Sequence, residues 1–304
     1  YSGATTIGAG TVQMSNNFAL GRSSAITISS GATLDLNGAN ALNLSSLTLA
    51  GTGTSGMALT NSGLGATYSG AIVLSADTTI GSNVSSTLTL NSTINGGGFR
   101  LTLNGSSASG YLNGIISNLT GLTVTSGVWL FYGDNTYTGT TTLSGGTTYL
   151  FADQGLGAAT AAGSVLMTGG VLAFTTNSTR DISSLLSTAG GQSWNFDTFG
   201  NNVTFATALV GNSTLSKTGV GTLSLSGNNT YSGSTTISGG TLQLSGAGKL
   251  GGGSYAASIT NNGLLQYSSS ATQSLSGIIS GTGGLTKDTA TSTLTLSANN
   301  SYTG

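Results

Sequence analysis

The sequence has no cysteine, proline, histidine or glutamate, and its 304 residues carry only 6 basic side chains and 7 acidic ones, every acid an Asp. Without Cys and His there is no disulfide framework, thiolate nucleophile, imidazole base or Cys/His zinc site. Ordinary usage would place about 15 prolines in a chain of this length. A continuous ladder of interior strands excludes proline, which cannot donate its backbone hydrogen bond. Helices are not expected either, because Glu is missing, Lys and Arg are rare, and no long window repeats apolar residues at three-to-four spacing. Arg22, Arg100, Arg180, Lys217, Lys249 and Lys287 are scattered singly and the net charge is −1, so no nucleic-acid partner is expected. The longest apolar run, Val128 to Tyr132, is far shorter than the roughly 20 residues that span a bilayer, so no membrane span is expected in this segment.

What the chain has is short alternation. Thr87-Leu88-Thr89-Leu90, Leu101-Thr102-Leu103, Leu223-Ser224-Leu225 and Leu294-Thr295-Leu296 each place Leu on one face and Thr or Ser on the other. Gly, Asn and Ser separate these strands as turns. A repeat overlies the alternation: YSGATTIGAGTVQM from Tyr1, YTGTTTLSGGTTYL from Tyr137 and YSGSTTISGGTLQL from Tyr231. Each Tyr is followed at fixed offsets by Gly (Gly3, Gly139, Gly233), a Thr pair and an apolar β-former (Ile7, Leu143, Ile237). Further on come a large apolar residue (Met14, Leu150, Leu244) and a Leu-Gly pair (Leu20-Gly21, Leu156-Gly157, Leu250-Gly251). The approach to Tyr also recurs, through Asn135, Asn229 and Asn300, and a fourth start stands at Tyr302 and Gly304. These turns are read as structural corners, with Gly supplying backbone angles that other side chains forbid.

The segments GTLSLSGNNTYSGSTTISGGTLQL and GGLTKDTATSTLTLSANNSYTG resemble the autotransporter-associated β-strand repeat of bacterial secreted and surface proteins. The second departs from the usual turn between Asp288 and Ser292, and Leu34-Asp35-Leu36-Asn37-Gly38 resembles a further turn common in such passengers. The resemblance implies an all-β fold, a right-handed parallel β-helix in the form of an elongated rod, and an extracellular or cell-surface location. It brings no catalytic residues with it. With about 20 residues per coil and strands about 4.8 Å apart, a chain of this length makes a rod of roughly 70 Å. The expected organisation is one continuous solenoid over 1–304, with modules of about 1–136, 137–230 and 231–304, cut from a longer repeat protein or fibre.

Candidate chemistry is sparse. Asp134 with Asp153, and Asp181 with Asp197 beside Arg180, are spaced so that each pair could face one another on successive coils, as polysaccharide-cleaving carboxylates would. Isolated turn Asp is the plainer reading. No Asp follows Gly96-Gly97-Gly98 or Gly251-Gly252-Gly253 at the spacing of a calcium-binding nonapeptide, and Gly281 to Gly284 lacks the Lys of a phosphate loop. No metal and no cofactor are expected. The stretch from 149 to 205 gathers aromatic bulk, and Trp194, Phe196 and Phe199 with Arg180, Asp181 and Asp197 are the candidate ligand or partner surface. Rings filling a wider stretch of core are the plainer reading of the same residues. The functional expectation is a non-enzymatic structural scaffold, fibre-forming or adhesive, that associates end to end or laterally with copies of itself. The other reading is a passenger that binds or cleaves a surface polysaccharide, or meets a host or cell-surface receptor, through the 149–205 segment.

Overall fold

A computed structural model describes residues 2–42, 45–82, 86–106 and 109–304 of the chain, which forms two compact units, Tyr1–Ala159 and Thr160–Gly304. Each unit is a β-solenoid of short parallel strands stacked coil upon coil. Among the described residues the helical content is two single turns of 3-10 helix, Ser183–Leu185 and Gly251–Gly253.

One face of the first unit runs through Thr5–Ile7, Ile26–Ile28, Leu47–Gly51, Ile72–Ser82, Arg100–Gly105, Gly121–Val124 and Thr140–Leu143, each strand parallel to the next. A second face runs through Asn40–Ala41, Ala66–Tyr68, Thr87–Leu90, Ser109–Leu112, Val128–Phe131 and Thr147–Leu150. Register gives the coil length directly: Ile26 lies opposite Leu47, 21 residues on, Leu47 opposite Ile72, 25 on, and Leu122 opposite Thr141, 19 on.

The second unit repeats the plan. One face holds Val171–Phe174, Ser193–Asp197, Thr214–Thr218, Thr235–Ile237, Ile259–Asn261 and Ile279–Ser280. Another holds Asn202–Phe205, Thr222–Leu225, Thr241–Leu244, Leu264–Tyr267 and Gly284–Lys287. A third, of three short strands, joins Ser254–Tyr255, Gln273–Leu275 and Leu294–Leu296.

Alternation explains why these residues stack. Ile26, Leu47 and Ile72 are opposite one another and no more than 1% exposed, while the Thr between them point outward as a column, Thr6, Thr27 and Thr48. Burying each such Leu or Ile contributes about 1.5–3 kcal/mol. A single coil cannot bury its inner face alone, so the stabilisation belongs to neighbouring pairs.

The repeat glycines divide into two kinds. Gly21, Gly157 and Gly251, from the Leu-Gly pairs, have φ of 60°, 88° and 54°, the left-handed region that Gly enters without penalty. Gly139 and Gly233, which follow the repeat Tyr, lack a positive φ, contrary to the expectation that forbidden angles select them. Space selects them instead: a Cβ at Gly139 would lie 2.3 Å from the Thr120 carbonyl carbon, and one at Gly233 2.3 Å from the Ser213 carbonyl oxygen. Gly304 is crowded in the same way by the Thr282 carbonyl, whereas a Cβ at Gly3 would meet nothing within 4 Å.

Candidate functional site

The repeat corner is assembled from inside the coil outward. Tyr137 and Tyr231 are both 0% exposed, and burial pushes both phenols above their ordinary pKa. The Tyr137 hydroxyl lies 2.8 Å from Thr141 Oγ1, which itself donates to the Leu156 carbonyl at 3.2 Å, so the phenol donates to the threonine. At the equivalent corner the same logic runs one step further. Tyr255 donates to the Gly233 carbonyl at 2.5 Å, accepts from Thr235 at 2.7 Å, and Thr235 accepts from Tyr231 at 2.6 Å. Tyr302 is half-buried, and Tyr1 lies outside the described residues.

Asn135 and Asn229, each two positions before a repeat Tyr, bind coils on both sides. Asn135 accepts from the Ile116 amide at 2.7 Å, one coil back, and donates to the Gly155 carbonyl at 2.7 Å, one coil on. Asn229 accepts from the Leu209 amide at 2.9 Å and donates to the carbonyls of Gly227 at 2.8 Å and Lys249 at 2.9 Å. Asn300 accepts from the Ile279 amide at 2.8 Å.

The aromatic segment is placed mostly in the core. Trp194 and Phe196, put forward as part of a ligand surface, are 1% and 0% exposed, which corrects that assignment. Phe174, Phe196 and Phe205 meet edge-on or tilted with centroids 4.9–6.2 Å apart, and Trp194 stands at 88° to the Tyr231 ring. Rings of this size replace Leu on the inward face, because alternation with Ser193, Asn195 and Asp197 turns them inside. Phe199 is the exception at 55% exposed, held in a turn with φ 46°. Arg180, Asp181 and Asp197 are half-buried.

The carboxylates are occupied by the fold. Asp181 accepts from the amides of Ser183 at 2.8 Å and Ala206 at 2.9 Å, and Asp197 from the Phe199 amide at 2.8 Å. Asp134 accepts from Gln154 N at 3.1 Å, and Asp77 from Arg100 N at 2.9 Å. Asp35 takes the amides of Asn37 and Ser62, the Ser62 hydroxyl and the Gln13 amide group. Asp288 takes Gln266 and Ser268, and these bonds hold its carboxyl below the usual range. Most of these bonds cross to an adjacent coil, so the acids act as staples.

Two features escaped the sequence reading. Lys217 is 0% exposed, in register between Phe196 and Ile237, and donates to the carbonyls of Thr218 at 2.8 Å, Gly219 at 2.8 Å and Gly239 at 3.1 Å. The other is a strip of rings on the outer side of the first unit: Tyr111 and Tyr132 have centroids 6.5 Å apart, and Tyr132 and Phe151 4.3 Å, with planes within 15° of parallel. Tyr132 is 41% exposed and the other two rings are half-buried. The signal was spacing, since 21 and 19 residues separate the three rings, one coil each time. The same strip continues as amides, with Asn113 donating to Asn91 at 2.7 Å.

Stacked parallel coils closed by a recurrent Asn-x-Tyr corner define a repeat-built β-solenoid. Comparison with known proteins gives the repeat its kind: the passenger-associated-transport-repeat family matches residues 1–14, 126–148, 215–244 and 291–304, all four Tyr-headed starts. Over 127 residues, 41% of the chain, it is 37% identical to the adhesin BmaC autotransporter of Brucella suis biovar 1 (strain 1330) and spans 4% of that protein's length. No solved structure matches the chain. The chain carries autotransporter passenger repeats, which indicates a bacterial cell-surface or extracellular location.

Proposed function

We propose that this chain is a non-catalytic adhesive scaffold, a stack of coils that holds contact strips outward at fixed spacing and also associates with copies of itself, as in a fibre. The observation that carries the reading is the outward stack of Tyr111, Tyr132 and Phe151, rings on three successive coils with Tyr132 exposed. Exposed aromatic rows of this kind anchor interfaces. The use of the Asp carboxylates as staples supports a structural role, and the adhesin relative supports a binding one.

Beads coated with the purified chain provide the test, applied to epithelial cell layers and to beads carrying the same chain. Adhesion above that of uncoated beads, reduced several-fold by Tyr132→Ser at unchanged melting temperature, is the expected result. Adhesion equal to uncoated beads on both targets overturns the proposal. Sedimentation velocity reads the self-association part separately: a species that stays monomeric at high concentration removes it.

A further inference from the structure

On the second unit, Asn202–Phe205, Thr222–Leu225 and Thr241–Leu244 lie side by side, with Thr204 opposite Ser224 and Ser224 opposite Gln243. Val203, Leu223 and Leu242 alternate with them and are buried, so the Thr, Ser and Gln column belongs to the outer side. This outer side is not flat. A groove of about 460 Å³ opens there, lined by Asn202, Thr204, Thr222, Ser224, Gln243 and Ser245, with Val203, whose side chain is buried, as its one apolar residue. Ser224 lines it and is 7% exposed despite its outward position.

The recess has a cause in the hydrogen bonds. Ser224 turns its hydroxyl to Ser245 at 2.6 Å, and Gln243 leans toward the following coil, donating to the Ser268 hydroxyl at 3.1 Å. Asn202 Oδ1 accepts a hydrogen bond from the Thr222 amide at 3.2 Å. These commitments fix the side chains while leaving Asn202 Nδ2, Gln243 Oε1 and the hydroxyls of Thr204 and Thr222 for a ligand. The set mixes donors with acceptors and contains no ionised group. A phosphate or uronate asks for a cation, a metal ion for carboxylates and a lipid for apolar walls. A sugar hydroxyl both donates and accepts, and it matches this lining. The volume falls within the range of small-ligand clefts, about 300–1,000 Å³, and the lining rides on strands that hold it rigid.

We propose that this groove binds a neutral oligosaccharide. The inference rests on the adhesive reading and gives it a ligand class, at a place that uses none of the aromatic or Asp residues of the 149–205 candidate surface.

The test is amide chemical-shift mapping on the ¹⁵N-labelled full chain, titrated with maltohexaose, cellohexaose and chitohexaose, with hyaluronan hexasaccharide as the acidic control. At least one neutral hexasaccharide is expected to shift the amides of residues 202–205, 222–225 and 241–245 saturably, while hyaluronan leaves them in place. Thr204→Trp, at an exposed position, fills the groove and should weaken binding at least ten-fold, Asn202→Ala should weaken it several-fold, and Thr204→Ser should retain it. Groove amides unmoved by all three neutral sugars, equal shifts with hyaluronan, or undiminished binding by Thr204→Trp overturns the proposal. Bead adhesion separates the two ideas: adhesion with a silent groove removes the sugar site alone, and a responsive groove on non-adherent beads removes the adhesive reading alone.

Discussion

Lys217 should make the second unit more stable in mild alkali than at neutral pH. Its ammonium is fully buried, and its three hydrogen bonds go to neutral carbonyls, those of Thr218, Gly219 and Gly239. Loss of water pushes its pKa down from 10.5 to about 8, and the charge of Asp197 opposes the shift without cancelling it. Between those two values the folded chain binds fewer protons than the unfolded one, so stability rises with pH across that window and is flat below it. At 1.36 kcal/mol per unit the full shift amounts to about 3 kcal/mol, of which about 2 kcal/mol is recovered between pH 7 and 9.5. Buried tyrosines act in the opposite sense above pH 10, but a Lys217 variant keeps all of them. The assay is urea unfolding of the chain and of Lys217→Met at pH 7, 8.5 and 9.5, followed by Trp194 fluorescence in a Trp129→Phe background. The chain with Lys217 should gain about 2 kcal/mol more than the variant over that range. Parallel pH profiles for the two proteins refute the reasoning, whatever their difference at neutral pH.

Gly139→Ala forces a Cβ to within 2.3 Å of the Thr120 backbone and should cost about 2 kcal/mol or more, whereas Gly3→Ala, with open space around it, should leave the urea midpoint unchanged. Asn229→Ala removes the buried side-chain bonds to Leu209, Gly227 and Lys249, and a loss of about 2–4 kcal/mol is expected in the same assay. Tyr137→Phe should cost about 1 kcal/mol at neutral pH through the bond to Thr141. Because the phenol's folded pKa is raised, its stabilisation is present below pH 10 and lost above it. The variant should therefore lose stability less steeply from pH 10 to 11, by about 1 kcal/mol per pH unit, in alkaline unfolding curves.

The strands were visible in the sequence because Leu alternates with Thr, and the register of the repeat already carried the coil length. Leu223 and Leu225, alternating with Thr222 and Ser224, occupy one strand with both Leu inside. Parity also held information that composition obscured. Trp194 and Phe196 alternate with Ser193, Asn195 and Asp197, and Lys217 shares its parity with Leu215, so all of them turn inward. Where every residue is apolar, as in Val128 to Phe131, parity is silent and only the neighbouring coils decide that Trp129 and Phe131 are inside. The space that selects Gly139 was invisible for a related reason, since the atoms it would strike belong to Thr120, a full coil earlier. The oligosaccharide groove was hidden likewise, because a recess on a row of similar side chains depends on which of them lean away.

The bonds of the repeat corners reach one coil back and one coil forward: Asn135 touches Ile116 and Gly155, and Asn229 touches Leu209 and Lys249. Such a lattice has no long-range bookkeeping. A whole coil added or removed gives each corner a new neighbour of the same kind, while an insertion of a single residue within a strand exchanges its inside for its outside. Reach is thus a quantity that gene duplication can adjust in steps of about 20 residues without redesigning a core. The dimension most open to selection in this architecture is how far its outward strips are held from one end of the stack to the other.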